Sequence, residues 1–490
     1  MKENREGKTD LLQIATQAML NFGLEPQFPE DALRQLDSIQ PATRESGEAF
    51  RDLTGLLWCS IDNDDSRDLD QLTVAEKLGD GKTRLWVAVA DVDSLVKLQT
   101  PLDLHARKNT TSVYTGVKIF PMLPEKLSTD LTSLNEGAER PSMVIEMVVD
   151  ASGQISQPEV YQALVKNKAK LAYHGVGDWL EGKGPLPPRA AQVPGMGEQL
   201  RLQDEAAQKL RRLRHEQGAL ELETLQPRPV TKDGEVVDLA HETKNRAGEL
   251  IEDFMIAANG VTARYLTGKG FPTLRRVVKT PERWPRIVEL AGNLGEKLPA
   301  EPDSRALSEF LTRQKARDPL RFPDLSLTVI KLMGRGEYVM EAPGQPPLGH
   351  FGLAVRDYNH STAPNRRYPD LVTLRLLKAA VTQQASPYGL GDLSALAVHC
   401  TGQENAADKV ERQVRKSASA MFISSRIGEY FQAIVTGASV KGTWVRVLQP
   451  PVEGYLAQGA KGLDVGDQVR VKLISVNVEK GFIDFAAIPR

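Results

Sequence analysis

Apolar and polar positions divide the chain into three regimes. In LLQIATQAMLNFGL, from Leu11, apolar residues recur at helical spacing, and PEDALRQLDSI, from Pro29, opens on proline and acids as helix N-termini do. Residues 1–51 therefore read as a small helical region. From Leu53 the period shortens: LTGLLWCSI, DLDQLTVAEKL and TRLWVAVADV read as strands, the last two joined by the hairpin turn Gly79-Asp80-Gly81-Lys82. Helices follow over 199–222, AGELIEDFMIAANGVTARYL, PDLVTLRLLKAAVTQQ and 404–428, with proline-rich loops at 184–194 and 343–347. Beyond residue 429, QAIVTGA, GTWVRVL, GYLA, DQVRVKLISV and GFIDFAA are five glycine-separated strands, the pattern of a small closed OB-type barrel. The fold class is α+β and multidomain: helical 1–51, a mixed α/β domain over 52–428, and the barrel over 429–490.

Composition narrows this reading. The chain has 490 residues and is 41% apolar, with 62 Lys and Arg against 64 Asp and Glu for a net charge of −2, which excludes a disordered chain. Cys59 and Cys400 are too far apart for a CxxC site, the longest clean apolar run is Leu85 to Ala90, and MKENREGKTD has no apolar signal core. A soluble, cytoplasmic, monomeric protein without membrane contact is expected. The balanced charge argues, at first sight, against a polyanionic partner.

The stretch from Asp62 to Asp70 places five carboxylates within nine positions directly after an apolar strand. Asp68 and Asp70 share a strand face, and a turn centred near Asp80 sets Asp70 opposite about Ala90, bringing Asp91 to the same sheet end. Like charges about 4 Å apart repel by about 4 kcal/mol at an effective dielectric of 20, so a divalent cation of the magnesium type suits the cluster; a solvated acidic loop is the alternative. An EF-hand does not fit, because Arg67 and Thr73 stand where that loop needs glycine and glutamate.

A second constellation runs from Gly349 to Asp370. Arg366 and Arg367 precede a helix whose start is marked by Pro369-Asp370, which is a phosphate-binding arrangement, unless an arginine merely pairs with Asp370. In the barrel, seven basic residues face five acidic ones, and Trp444 and Tyr455 are candidates for base stacking, with barrel core as the alternative.

Together these residues resemble the ribonuclease II / ribonuclease R family of exoribonucleases. IDNDDSRDLDQL is similar to the family's acidic signature, with Asp62, Asp68 and Asp70 at its first three aspartates; VAVADVDSLV, with Asp91, resembles the second motif. The segment from Ile119 to Met147, ELIEDFMIAAN, GHFGLAVRDYNHSTAPNRRYPDL and VERQV also match, and an S1 domain is the family's usual ending. The resemblance implies a catalytic RNB domain and a processive, sequence-indifferent hydrolytic 3′→5′ exoribonuclease that acts on single-stranded RNA with a free 3′ end and releases nucleoside 5′-monophosphates. It implies Mg2+, with Mn2+ as a substitute and no small-molecule cofactor, held by Asp62, Asp68, Asp70 and Gln71, with Arg366 clamping the phosphate and Arg367 on the RNA path. By family position Tyr114 and Tyr173 would stack the last bases, and Glu252 and Glu411 are candidates for the 2′-hydroxyl.

Two departures stand out. Gln71 occupies the fourth aspartate position, so weaker metal binding is expected, and a catalytically impaired RNA-binding protein is the competing reading. A deoxyribonuclease on the same scaffold is a third. The segment ahead of the catalytic domain also lacks the family's cold-shock domains.

Overall fold

A computed structural model describes residues 11–40, 50–224, 227–232, 235–241, 244–439, 442–463 and 465–488 of the chain. Helix α1 (Leu11–Asn21) buries Leu11, Ala15, Ala18 and Met19, the stripe that its periodicity predicts, and α2 (Glu30–Ser38) buries Ala32 and Leu36. The signal-peptide reading of MKENREGKTD falls outside the described residues, as do Lys441, Asp464 and Arg490 of the barrel charge count. Among the described residues no helix is long and apolar enough to cross a membrane.

The central body is organised by a sheet. Strands β1 (Arg51–Asp52), β2 (Cys59–Asp62), β3 (Gln71–Lys77) and β4 (Thr83–Ala90) lead to helix α3 (Pro101–Asn109) and a two-stranded hairpin, β5 (Val113–Tyr114) and β6 (Ile119–Phe120). Strands β7 (Glu139–Val149), β8 (Ile155–Lys166) and β9 (Ala169–Ala172) complete a seven-stranded sheet of order β1-β8-β7-β4-β3-β2-β9. Its outer pairs, β1–β8 and β2–β9, are parallel and the inner ones antiparallel. The LTGLLWCSI stretch is not one strand: it opens on a turn just after β1, and only its last three residues belong to β2. The β3–β4 turn has left-handed backbone at Asp80 (φ 58°) and Gly81 (φ 72°), the conformation a tight hairpin demands and Asp and Gly tolerate. That turn fixes the register, and the Ala90 amide donates to the Asp70 carbonyl at 2.9 Å.

Helices α4 (Tyr173–Leu180), α5 (Pro188–Ala191) and α6 (Met196–Glu216) follow, so the proline-rich stretch at 184–194 holds one short helix; the helix expected over 199–222 stops before Gly218, whose φ of 97° turns the chain. A hairpin of β10 (Pro227–Lys232) and β11 (Glu235–His241) precedes α7 (Arg246–Gly268), and α6 and α7 pack on each other and on the sheet. Next, β12 (Thr273–Val277) pairs with β13 (Glu337–Glu341) around an inserted helical unit, α8 (Trp284–Asn293), α9 (Ser304–Arg317) and α10 (Phe322–Met333), with its own core of Trp284, Phe310 and Phe322. Helix α11 (Tyr368–Val381) is buried along most of its length.

Helix α12 (Leu390–Ile423) starts well before the expected 404 and is about 50 Å long. It joins three cores: Cys400 belongs to the central one, Ala406 to Val414 pack with α1, and Ala420 and Ile423 enter the barrel. The barrel closes as β14 (Tyr430–Ser439), β15 (Gly442–Val447), β16 (Glu453–Gln458), β18 (Phe482–Ala487) and β17 (Gln468–Asn477), from the five segments expected. Gly454 admits no side chain, because a Cβ there would stand 2.5 Å from the Phe485 ring and 2.6 Å from the Ile483 carbonyl. Gly454→Ala is therefore expected to destabilise the barrel by about 1–3 kcal/mol, measured as faster limited proteolysis within it.

Candidate active site

The site is assembled where β2 ends, β3 begins and α11 starts. Asp62 is the last residue of β2, paired with Ala172, and Asp68 and Asp70 lie on the loop entering β3. An acidic loop would spread into solvent unless held, and backbone bonds hold it: Ser133 Oγ donates to the Arg67 carbonyl at 2.8 Å and accepts the Leu69 amide at 3.0 Å, and Lys170 donates to the Ser66 carbonyl. Of the five carboxylates, Asp64 and Asp65 face solvent, while Asp70 is only 1% exposed.

Asp70 Oδ1 accepts the Asn365 amide at 2.8 Å, and Oδ2 lies 3.3 Å from Arg366 Nε with no hydrogen-bond partner. Burial pushes the Asp70 carboxyl up to about 7; Arg366 and the Asn365 amide oppose that, and Asp68 and Asp370 add to it. Burial also raises Asp68, with Arg366 opposing and Asp62 reinforcing. The Tyr114 hydroxyl reaches Asp68 Oδ2 at 3.5 Å, and its amide donates to Glu411 Oε1 on α12 at 2.9 Å. Tyr173, at the start of α4, sits in the field of Asp62 and Arg366.

The turn carrying Arg366 is itself fixed. Asp370, fully buried in the first turn of α11, accepts from the Thr362 and Ala363 amides and from Arg367 Nη2, each at 2.8 Å. Thr132 Oγ1 donates to Asn365 Oδ1 at 2.5 Å, and the Arg366 carbonyl accepts the Ser112 amide at 3.0 Å. The segment leading to Tyr114 and the arginine turn thus clasp each other.

Two expectations need correction. Asp91 does not join the cluster: β4 stops at Ala90, Asp91 opens a turn in which it caps Ser94, and both its oxygens take Lys378 Nζ of α11 at 3.0 Å. Arg367 is not a free guanidinium: its Nη2 pairs with Asp370 at 2.8 Å, as Arg366 Nε pairs with Asp70 at 3.3 Å, and the Arg367 side chain is the less exposed of the two. Glu252 is exposed on α7 and paired with Lys244 at 2.9 Å. Gln71 is buried at the first position of β3. Trp444 and Tyr455 face each other across β15 and β16 on the outside of the barrel, with ring centroids 5.8 Å apart, while Val445, the next residue of β15, points into its core. The sequence reading missed Asn365, Thr132, Ser133 and the full role of Asp370; all lie inside stretches it quoted, but only the folded contacts reveal their use.

The donor set suits a hard divalent cation: its oxygens are carboxylates, and Asp70 Oδ2 is a buried acceptor that a cation would satisfy. Among the described residues no three acidic or histidine side chains converge tightly enough to hold an ion unaided, so waters and a substrate phosphate would complete the shell.

Comparison with known proteins agrees with this architecture. The RNB domain family matches residues 50–383, and the RNase II-type exonuclease C-terminal S1 domain matches 429–488. Ribonuclease R of Thermotoga maritima is 30% identical over 94% of this chain and 68% of its own length. Ribonuclease R of Escherichia coli is 29% identical over 94% of this chain and 60% of its own length. The structure of Mycoplasma genitalium RNase R in complex with ribose-methylated single-stranded RNA has a TM-score of 0.89 at 23% identity, covering 98% of this chain and 79% of that one.

Proposed function

The chain belongs to the RNB-domain family that includes ribonuclease R, and from that premise we propose that it is a processive, sequence-independent 3′→5′ exoribonuclease releasing nucleoside 5′-monophosphates from single-stranded RNA. The observation that carries the reading is the buried Asp70 carboxylate, with one oxygen unsatisfied, set against the Arg366 guanidinium at 3.3 Å. Residues 52–428 act as the catalytic domain and 429–490 as an RNA-holding domain, in a cytoplasmic monomer.

Asp62, Asp68 and Asp70 would hold Mg2+ or Mn2+, which when bound supplies Lewis-acid stabilisation of the leaving oxygen and a water acidic enough to attack phosphorus. Arg366 binds the scissile phosphate from a guanidinium already oriented by Asp70, so that little reorganisation is needed as transition-state charge develops. The Asn365 amide and Arg366 keep Asp70 in one orientation. Tyr114, 40% exposed, and Tyr173 offer ring faces to the terminal bases, a mode of holding that ignores base identity. Glu411 ties the Tyr114 hairpin to α12 through one carboxylate oxygen, and in this reading it accepts a 2′-hydroxyl, with Glu252 as a second candidate.

Product analysis tests this reading. Chromatography of a digest of single-stranded RNA is expected to show nucleoside 5′-monophosphates, none after chelation, and recovery on adding Mg2+; a matched DNA oligomer is expected to survive. Equal turnover of that DNA would establish the deoxyribonuclease instead. Gln71 leaves the site one carboxylate short, so Gln71→Asp is expected to reach half-maximal rate at a lower Mg2+ concentration, measured by titrating the metal. Tight RNA binding with no metal-dependent product, and turnover appearing only in Gln71→Asp, would identify an impaired binder.

A further inference from the structure

The barrel carries a cleft of about 290 Å3 against α12 whose chemistry exceeds what sequence-blind stacking needs. Its apolar faces are Trp444, Tyr455, 40% exposed, and Phe482, 58% exposed, and its cation is Lys416 of α12. Glu453 and Asp484 also line it. Thr436 Oγ1 donates to Glu453 Oε1 at 3.1 Å and Ser475 Oγ to Asp484 Oδ2 at 2.7 Å, which fixes one oxygen of each carboxylate. Among the described residues neither carboxylate is ion-paired: Arg446, opposite Glu453 in the ladder, is engaged by Asp324 of α10 at 3.0 and 3.1 Å.

Lys416 against two acids leaves the cleft net negative, which repels a phosphodiester backbone and adds nothing to stacking. A carboxylate is purely an acceptor, so it becomes favourable when a stacked base offers it an amino group. Cytosine, adenine and guanine each carry one, whereas uracil presents a single imino N–H flanked by two carbonyl oxygens that face the carboxylate. The cleft lies close to the reacting end: Lys416 is five residues beyond Glu411 on α12, about 8 Å along the helix.

We propose that this cleft is a base-selective subsite, in which Glu453 and Asp484 accept amino protons from bases stacked on Trp444, Tyr455 and Phe482 and disfavour uracil. The inference rests on the RNA-degrading reading above. It makes chemistry at the Asp70 site indifferent to sequence while retention of the strand is not, so that the enzyme stays longer on amino-bearing tracts than on uridine tracts.

The test is equilibrium binding of 5′-fluorescein oligocytidylate and oligouridylate of one length to the full chain carrying Asp70→Asn, which leaves the RNA intact. Cytidylate is expected to bind about tenfold more tightly. Adding Glu453→Ala and Asp484→Ala is expected to abolish the difference and to strengthen uridylate binding, a gain that a merely damaged barrel would not produce, whereas Tyr455→Ala weakens both oligomers together. Equal binding of the two, or a difference that survives the double substitution, would overturn the subsite. Binding of neither oligomer would overturn the RNA-degrading reading, and the subsite with it.

Discussion

Asp70→Asn is expected to slow turnover of single-stranded RNA by about a thousandfold or more, some 4 kcal/mol of barrier, while RNA binding and the fold persist. The substitution is nearly isosteric, and the Asn oxygen can still accept the Asn365 amide that Asp70 Oδ1 accepts at 2.8 Å. What it removes is the charge facing Arg366 and the unsatisfied Oδ2 acceptor, at a position only 1% exposed. The fold does not depend on that charge, since burial raises the Asp70 carboxyl to about 7 and so works against it. Single-turnover cleavage beside fluorescence anisotropy of a bound oligomer separates the two effects. A variant that cleaves at the parental rate would remove Asp70 from the chemistry.

Arg375→Met is expected to cost about 3–5 kcal/mol of stability, the largest loss among these substitutions. Arg375 is 4% exposed and donates to Asp93 at 2.8 Å, Asp103 at 2.7 Å, the Val96 carbonyl at 2.7 Å and the Tyr388 hydroxyl at 3.0 Å. Asp103, itself 1% exposed, would be left as a buried charge without its partner. With Lys378 on Asp91 and Asp93, this network sets α11 against the end of β4, and the turn leading into α11 presents Arg366 to Asp70. Lys378 and then Arg375 hold the Asp93 carboxyl below its ordinary value against the opposing effect of burial. The unfolded chain therefore takes up that proton first as pH falls, so the stability Asp93 contributes is complete above about pH 4 and lost below it. Urea denaturation at neutral and acidic pH measures both effects. An unchanged midpoint for Arg375→Met would show that the network is not structural.

The parts of the site visible in the sequence are those set by local rules. The turn Gly79-Asp80-Gly81-Lys82 fixes one register, and that register places Asp70 opposite Ala90. The same rule misplaced Asp91, because alternation along a strand says nothing once the strand has ended, and the cation that takes Asp91, Lys378, is 287 residues away. Arg367 was ambiguous for the opposite reason: an acid three positions on offered a local partner, and the fold uses it. Trp444 and Tyr455 fit core or surface equally well until pairing across β15 and β16 puts Val445 inside and the rings outside. The helical unit α8 to α10 was not legible, because its core joins Trp284, Phe310 and Phe322 from three separate helices rather than along one local pattern. The net charge of −2 was the least informative number, because it averages an acidic pocket at Asp62, Asp68 and Asp70 with the arginine turn beside it.

The polarity of degradation is tested most directly by a time course on one single-stranded RNA labelled at its 5′ end. A 3′→5′ exoribonuclease keeps the label on chains that shorten from the 3′ end to a short limit product, in the presence of Mg2+ and not after chelation. Release of the label as a mononucleotide at the earliest times, or labelled fragments from internal cuts that appear before any shortening, would contradict it.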